Sequence, residues 1–336
     1  MSPLKGIGFN QFAFSIPPVI SIAFSTSPYV SAYPWNGGFG TKYADPATLP
    51  TGAAQDTAFN LTKSVIGVAH DVSPFISTYP WNAGFGTKYS NPATLPTSTS
   101  RGVAFNPLGT AIAVTDDNSP FVLAYPWSAG FGTKYADPAT LPAAFAYSVN
   151  WNSAGTAIAV AHSTTPFITT YPWSSGFGTK YANPATLPAG TGRGVQFNAA
   201  GTAIAVAHLT TPFITAYPWS AGFGTKYANP ATLPAGNALG MAFNAAGTAI
   251  AVAHATTPFV TAYPWSAGFG TKYSDPATLP TGTGTGVSFN SKDTAIAVVH
   301  STTPYVTAYP WSAGFGTKYA NPATLPTGNA SGLAFI

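Results

Sequence analysis

Five histidines, eight aspartates and twelve basic residues are the chain's whole stock of charged and metal-ligating side chains, because glutamate and cysteine are both absent. Without cysteine there is no disulfide framework, thiolate metal site or thiol nucleophile. His70, His162, His208, His254 and His300 end the same short apolar motif, and Phe24 and Asp116 take that slot in two further copies. A metal needs several ligands around one point, and equivalent positions of a repeat stand one repeat apart, so each histidine reads as half-buried and hydrogen-bonded. Asp45, Asp56, Asp71, Asp116, Asp117, Asp137, Asp275 and Asp293 are the carboxylates. Asp116 and Asp117 are adjacent and in a strand point to opposite faces, whereas glycoside cleavage needs two carboxyls facing one bond. The GFG motif lacks the glycine spacing and following helix of a phosphate-binding loop. The expectation is a chain that is not an enzyme, with no metal and no cofactor.

Binding chemistry is better supplied. The stretch "AYPWSAGFGTKYANPATLP" (Ala216–Pro234) recurs almost unchanged seven times. Its Trp and Phe are expected to pack, while the Lys-Tyr pair makes a repeated candidate ligand site: Lys42, Lys88, Lys134, Lys180, Lys226, Lys272 and Lys318 with Tyr43, Tyr89, Tyr135, Tyr181, Tyr227, Tyr273 and Tyr319. Tyrosine rings stack on sugars and ammonium groups meet hydroxyls or acids, and seven weak sites would act together on a repetitive surface. Against this constancy, the residue closing the loop before each GVAF-like motif changes from copy to copy: Gln55, Arg101, Tyr147, Arg193, Leu239, Thr285 and Ser331. The loops "HDVSP", "DDNSP" and "HLTTP" vary as well. Arg101, Tyr147, Arg193, Asp71, Asp116 and Asp117 therefore form a second candidate, an asymmetric partner face; drift of exposed loops after duplication gives the same pattern.

The elements that position these groups follow from the period. The Trp of YPW stands at 35, 81, 127, 173, 219, 265 and 311, always 46 residues apart. A period of this length with several short strands and no 3.6-residue periodicity predicts an all-β, seven-bladed β-propeller. Each blade reads as four strands. Around Trp219 these are Gly194–Asn198, Thr202–His208, Pro212–Trp219 and an outer strand near Lys226–Pro234, where proline is tolerable at an edge. The GVAF-like strand occurs a last time at Gly332–Phe335, without a following partner. It is expected to close the ring by completing the first blade, which begins at Val19. Domain organisation is then an N-terminal arm, 1–18, and a propeller, 19–336; Gly6–Asn10 and Phe12–Ser15 are rival first strands.

Only 6% of residues are charged and 46% are apolar, so the abundant Gly and Pro indicate packed turns rather than disorder. The net charge of +4 is spread over the repeats, with no basic block for nucleic acid. Asn10, Gln11, Pro17 and Pro18 interrupt any signal-peptide core, and no run has membrane-spanning length. A protein without a cleaved leader is expected, with neither nucleic acid nor membrane as partner.

The order "GVAFN", glycine turn, "AIAVAH", "FITAYPW" resembles WD40 and YVTN-type propeller repeats, although the GH and WD dipeptides of the former are missing. The wording "YPWSAGFGTKYANPATLPAGTGRGVQFNAAGTAIAVAH" resembles repeat proteins encoded by tailed phages of aquatic bacteria, cyanophages among them, over Val19–Phe335. That resemblance implies a virion-associated binding module attaching to host-surface glycan or to another virion protein. A structural capsid or tail decoration and a multivalent lectin are the alternatives. It transfers no catalytic or binding residues.

Overall fold

The computed structural model describes residues 18–336. The proposed arm before Pro18 and both rival first strands lie outside the described residues. The described chain is all-β: 21 strands in seven antiparallel three-stranded sheets, one for each Trp of the repeat. We number the sheets 1 to 7 along the chain. In sheet 5 the inner strand is Gly192–Phe197, the middle strand Ala203–His208 and the outer strand Ile214–Pro218.

The residue pattern explains the order. "AIAVAH" is buried at every position, as suits a middle strand covered on both faces by neighbouring sheets. The turn into it is fixed by Asn198, whose Oδ1 accepts the N–H groups of Thr202 (2.8 Å) and Ala203 (3.0 Å), while Gly201 takes a left-handed φ of +66°. Pro218 ends the outer strand because it cannot donate to a ladder.

The expected fourth strand is absent. Lys226–Pro234 offers the Tyr227 N–H to Ala216 O at 2.9 Å, but no strand follows, and Pro230 and Pro234 bring no N–H to extend the pairing. This segment instead staples one sheet to the next. Tyr181, from the Lys-Tyr pair after sheet 4, meets Trp219 of sheet 5 edge-on at 5.3 Å, and Thr186 O accepts the Tyr217 hydroxyl at 2.7 Å. Phe223 and Phe197 complete the cage around Trp219 at 5.2 and 5.1 Å. All seven copies of YPW, GFGTKY and PATLP repeat this arrangement, with Tyr319 closing on Trp35.

Sheet 1 joins the first and last of the described strands. Its middle strand, Val19–Phe24, pairs with Val30–Pro34 on one side and with Ala330–Phe335 on the other. Each inner strand adjoins those of the two neighbouring sheets, in order from sheet 1 to sheet 7 and from sheet 7 to sheet 1. The approach is close. A Cβ on Gly240 would lie 3.0 Å from Gly286 Cα, and one on Gly332 would lie 2.8 Å from Asp56 Cα, so glycine is required at these two close approaches of neighbouring inner strands.

Candidate functional site at the axial mouth

A cavity of about 270 Å³ opens at one end of the inner strands. It is lined by one residue from every copy: Gln55, Arg101, Tyr147, Arg193, Leu239, Thr285 and Ser331. These are the positions that vary along the sequence. The register shows why they converge. In sheets 1, 2, 4, 5, 6 and 7 the pairing skips this residue, as between Gly192 and Gly194 around Arg193, making it the extra residue of a β-bulge. Bulges turn a side chain out of the sheet's alternation and are common beside binding sites.

Three of these side chains make one cluster across sheets 3 to 5. The Arg101 guanidinium donates from Nε to Asp117 Oδ1 and from Nη2 to Asp117 Oδ2, both at 2.7 Å. Its carbon lies 5.3 Å from the centre of the Tyr147 ring, and that of Arg193 lies 4.0 Å from the same ring centre. Among the described residues Arg193 makes no ion pair. Hydrogen bonding to Asp117 raises the Arg101 pKa, whereas burial lowers that of Arg193.

One layer deeper stands Asp56. At its register position the other six sheets carry Gly102, Ser148, Gly194, Gly240, Gly286 and Gly332. Asp56 Oδ2 accepts the Val103 N–H of sheet 3 at 3.1 Å, and the residue lines the mouth cavity as well as the cavity at the opposite end. Burial pushes its carboxyl up to about 7, against the lowering effect of the Val103 and Thr57 amides. A carboxyl in that range exchanges a proton near neutral pH, which is what a general base requires.

The partner-face residues are thus partly united. Arg101, Tyr147, Arg193 and Asp117 meet at the mouth, and the charge of Asp71 acts on Arg101. Asp116 is buried and structural: it accepts the Thr97 N–H at 2.6 Å and the Asn118 N–H at 2.8 Å. Sequence reasoning missed Asp56, seen there as one isolated carboxylate, and did not count Gln55, Leu239, Thr285 and Ser331 as site residues. Their variability at one repeat position was the available signal.

The repeated Lys-Tyr site is not assembled as a ligand cradle. Every lysine turns to the Asn or Asp three residues on: Lys42 to Asp45, Lys88 to Asn91, Lys134 to Asp137, Lys180 to Asn183, Lys226 to Asn229, Lys272 to Asp275 and Lys318 to Asn321. Tyr43, Tyr89, Tyr135, Tyr181, Tyr227, Tyr273 and Tyr319 each pack edge-on against the Trp of the next sheet. The histidines lie within the sheets, with Nε2 of His208 2.9 Å from Thr215 Oγ1, and burial lowers their pKa to about 4. Among the described residues no three His or Asp side chains gather as a metal site, and no helix is long and apolar enough to cross a membrane.

No family model matches the chain, and no curated protein matches it. Solved structures do. A candidate 6-phosphogluconolactonase of Bacteroides uniformis is 12% identical, with a TM-score of 0.72 over 96% of this chain and 100% of the other. The periplasmic gluconolactonase of Pseudomonas aeruginosa is 12% identical, with a TM-score of 0.71 over 95% and 99%. A functionally unknown protein of Desulfotomaculum acetoxidans is also 12% identical, with a TM-score of 0.69 over 95% and 98%. These findings overturn the expected non-enzymatic phage attachment module and its decoration and lectin alternatives: these structural relatives are bacterial, and the two named for an activity are lactonases. At such identities the likeness is one of fold, and the chain shares their β-propeller-like repeat fold.

Proposed function

We propose that the chain hydrolyses a small lactone at the axial mouth, with Asp56 as general base. The observation carrying this reading is the single carboxyl among the glycines and serine of its register position, walled in by inner strands and pushed up to about 7. The lactonases among the structural relatives support the reaction class. The same proposal takes the seven sheets as blades of one ring completed by Ala330–Phe335, supported by the cyclic adjacency of the inner strands, because only a ring gathers the seven variable residues around one cavity.

In the reaction, ionised Asp56 takes a proton from a channel water as the water oxygen bonds to the lactone carbonyl carbon. Collapse of the tetrahedral intermediate breaks the bond between acyl carbon and ring oxygen. That oxygen leaves as a hydroxyl, recovering the proton from Asp56, and the product is the open-chain hydroxy acid. No covalent enzyme intermediate is required.

The test is pH-stat hydrolysis of gluconolactone, corrected for the spontaneous rate, by the wild type and Asp56→Asn. The expected wild-type rate rises with pH through about 7, and the variant loses roughly 100-fold or more. A wild-type rate equal to the spontaneous one, or an undiminished variant, would refute the assignment.

A further inference from the structure

We infer that the mouth is a receptor for one carboxylate, held by Arg193, so that the lactone it accepts carries one free carboxylate besides its ring ester rather than a phosphate; that the ligand is a lactone rests on the function proposed above, the receptor does not. Arg193 and Arg101 lie on opposite sides of this inference although both approach Tyr147. Arg101 has committed two N–H groups to Asp117 at 2.7 Å each, and the pair is neutral as a unit. Arg193 is seated over the tyrosine ring at 4.0 Å, lines the cavity and makes no ion pair among the described residues, Asp117, whose charge acts on it, being already bonded to Arg101. A guanidinium withdrawn from water without an acid partner is costly, and an incoming anion repays that cost.

Charge counting then selects the anion. Arg101 and Asp117 cancel, leaving Arg193 as the guanidinium without an ion pair, and with Asp71 acting on Arg101 and Asp56 beneath, the mouth carries no positive charge beyond that one. One carboxylate neutralises it and matches the planar guanidinium with two parallel hydrogen bonds. A phosphate monoester near neutral pH brings close to two charges, and the second has only Asp56 beneath it, itself negative when acting as a base. The bulge at Arg193 supplies the geometry, since it takes this side chain out of the strand's alternation, over Tyr147 and against the cavity.

The test is calorimetric titration at about pH 7.5, where a phosphate monoester is almost fully ionised. D-glucuronate, glucose 6-phosphate and glucose are titrated into the wild type, Arg193→Gln, Arg193→Lys and Asp56→Asn, each first checked by its melting curve. Glucuronate is expected to bind the wild type about tenfold tighter than glucose 6-phosphate, and glucose more weakly than either. Arg193→Gln should lose about tenfold in glucuronate affinity, Arg193→Lys should recover part of it, and Asp56→Asn should bind at least as well as wild type. Equal glucuronate binding by Arg193→Gln, or a preference for glucose 6-phosphate, would overturn the receptor. Gluconolactone turnover unaffected by Arg193→Gln, with no glucuronate binding, would remove the receptor and leave the lactonase; glucuronate binding without any lactone turnover would do the reverse.

Discussion

Val19 and Ile336 exchange both backbone hydrogen bonds, N–H to O in each direction at 3.0 Å. The pairing continues inward through Ile20 with Phe335, whose ring meets Trp35 edge-on at 4.7 Å and is 4% exposed. The last strand therefore fills the aromatic cage of sheet 1 as Phe197 fills that of sheet 5.

Phe335→Ala is expected to cost about 3–5 kcal/mol, the range for emptying a large aromatic position in a core. Deleting Gly332–Ile336 should cost more, because it also strips the ladder from Val19–Phe24. Differential scanning calorimetry checks both; an unchanged melting temperature in the deletion would mean that sheet 1 does not depend on this strand.

The two members of the Lys-Tyr pair should separate cleanly by mutation. Lys226 bonds an exposed neighbour, Asn229, so Lys226→Ala should change stability by less than about 1 kcal/mol. Tyr227 packs on Trp265 across a sheet boundary at 5.4 Å, and Tyr227→Ala should cost about 2 kcal/mol or more. Urea denaturation of both variants against wild type makes the comparison.

Much of this frame was legible beforehand because it is local. The 46-residue Trp spacing marks the repeats, and the small-residue run before each histidine marks a strand buried on both faces. The strand expected over Lys226–Pro234 failed because extended composition does not supply ladder donors, and the aromatic staple that replaces it joins different repeats. The lysines suggested a ligand, although their Asn or Asp partners stood three residues away. Asp56 was half legible: the 46-residue period aligns it with Gly102, Ser148, Gly194, Gly240, Gly286 and Gly332, but nothing in the sequence says that the seven positions converge. That significance exists only once the sheets are assembled.

The buried histidines should make the fold acid-sensitive. An unfolded histidine protonates near 6.5, while His70, His162, His208, His254 and His300 resist protonation down to about 4 in the fold. The unfolded chain therefore binds more protons between these values, and stability, complete above 6.5, falls as pH drops toward 4. Replacing the five with Phe, which sheet 1 already carries as Phe24 in this slot, should flatten the melting temperature over that interval. An equally steep variant would assign the acid sensitivity elsewhere.

Asp56 acts with the opposite sign. Its carboxyl is raised from 3.8 to about 7, so the fold holds a proton that the unfolded chain has released, and its contribution declines as pH rises from 4 to 7. Asp56→Asn should consequently be more stable than wild type at pH 8, by roughly 1–3 kcal/mol after allowance for water in the channel, while little different at pH 4. Melting curves at both values decide this independently of any activity.

Asp117 should set the charge preference of the mouth. Asp117→Asn keeps one acceptor for Arg101 but removes the negative charge that neutralises it. Affinity for glucose 6-phosphate should rise about three- to tenfold, narrowing its gap to glucuronate. Titration of both anions tests this; an unchanged ratio would exclude Arg101 from the balance of charge.

The seven variable residues at the mouth also bear on how such a protein could be remade. Each belongs to a repeat whose sheet is held by a Trp cage and a stapling tyrosine, so the variable part of the cavity lining is decided by seven codons at a fixed interval while the frame is decided by the rest. A combinatorial library restricted to those codons would search chemistries for one cavity on a constant support, and most of its members should fold.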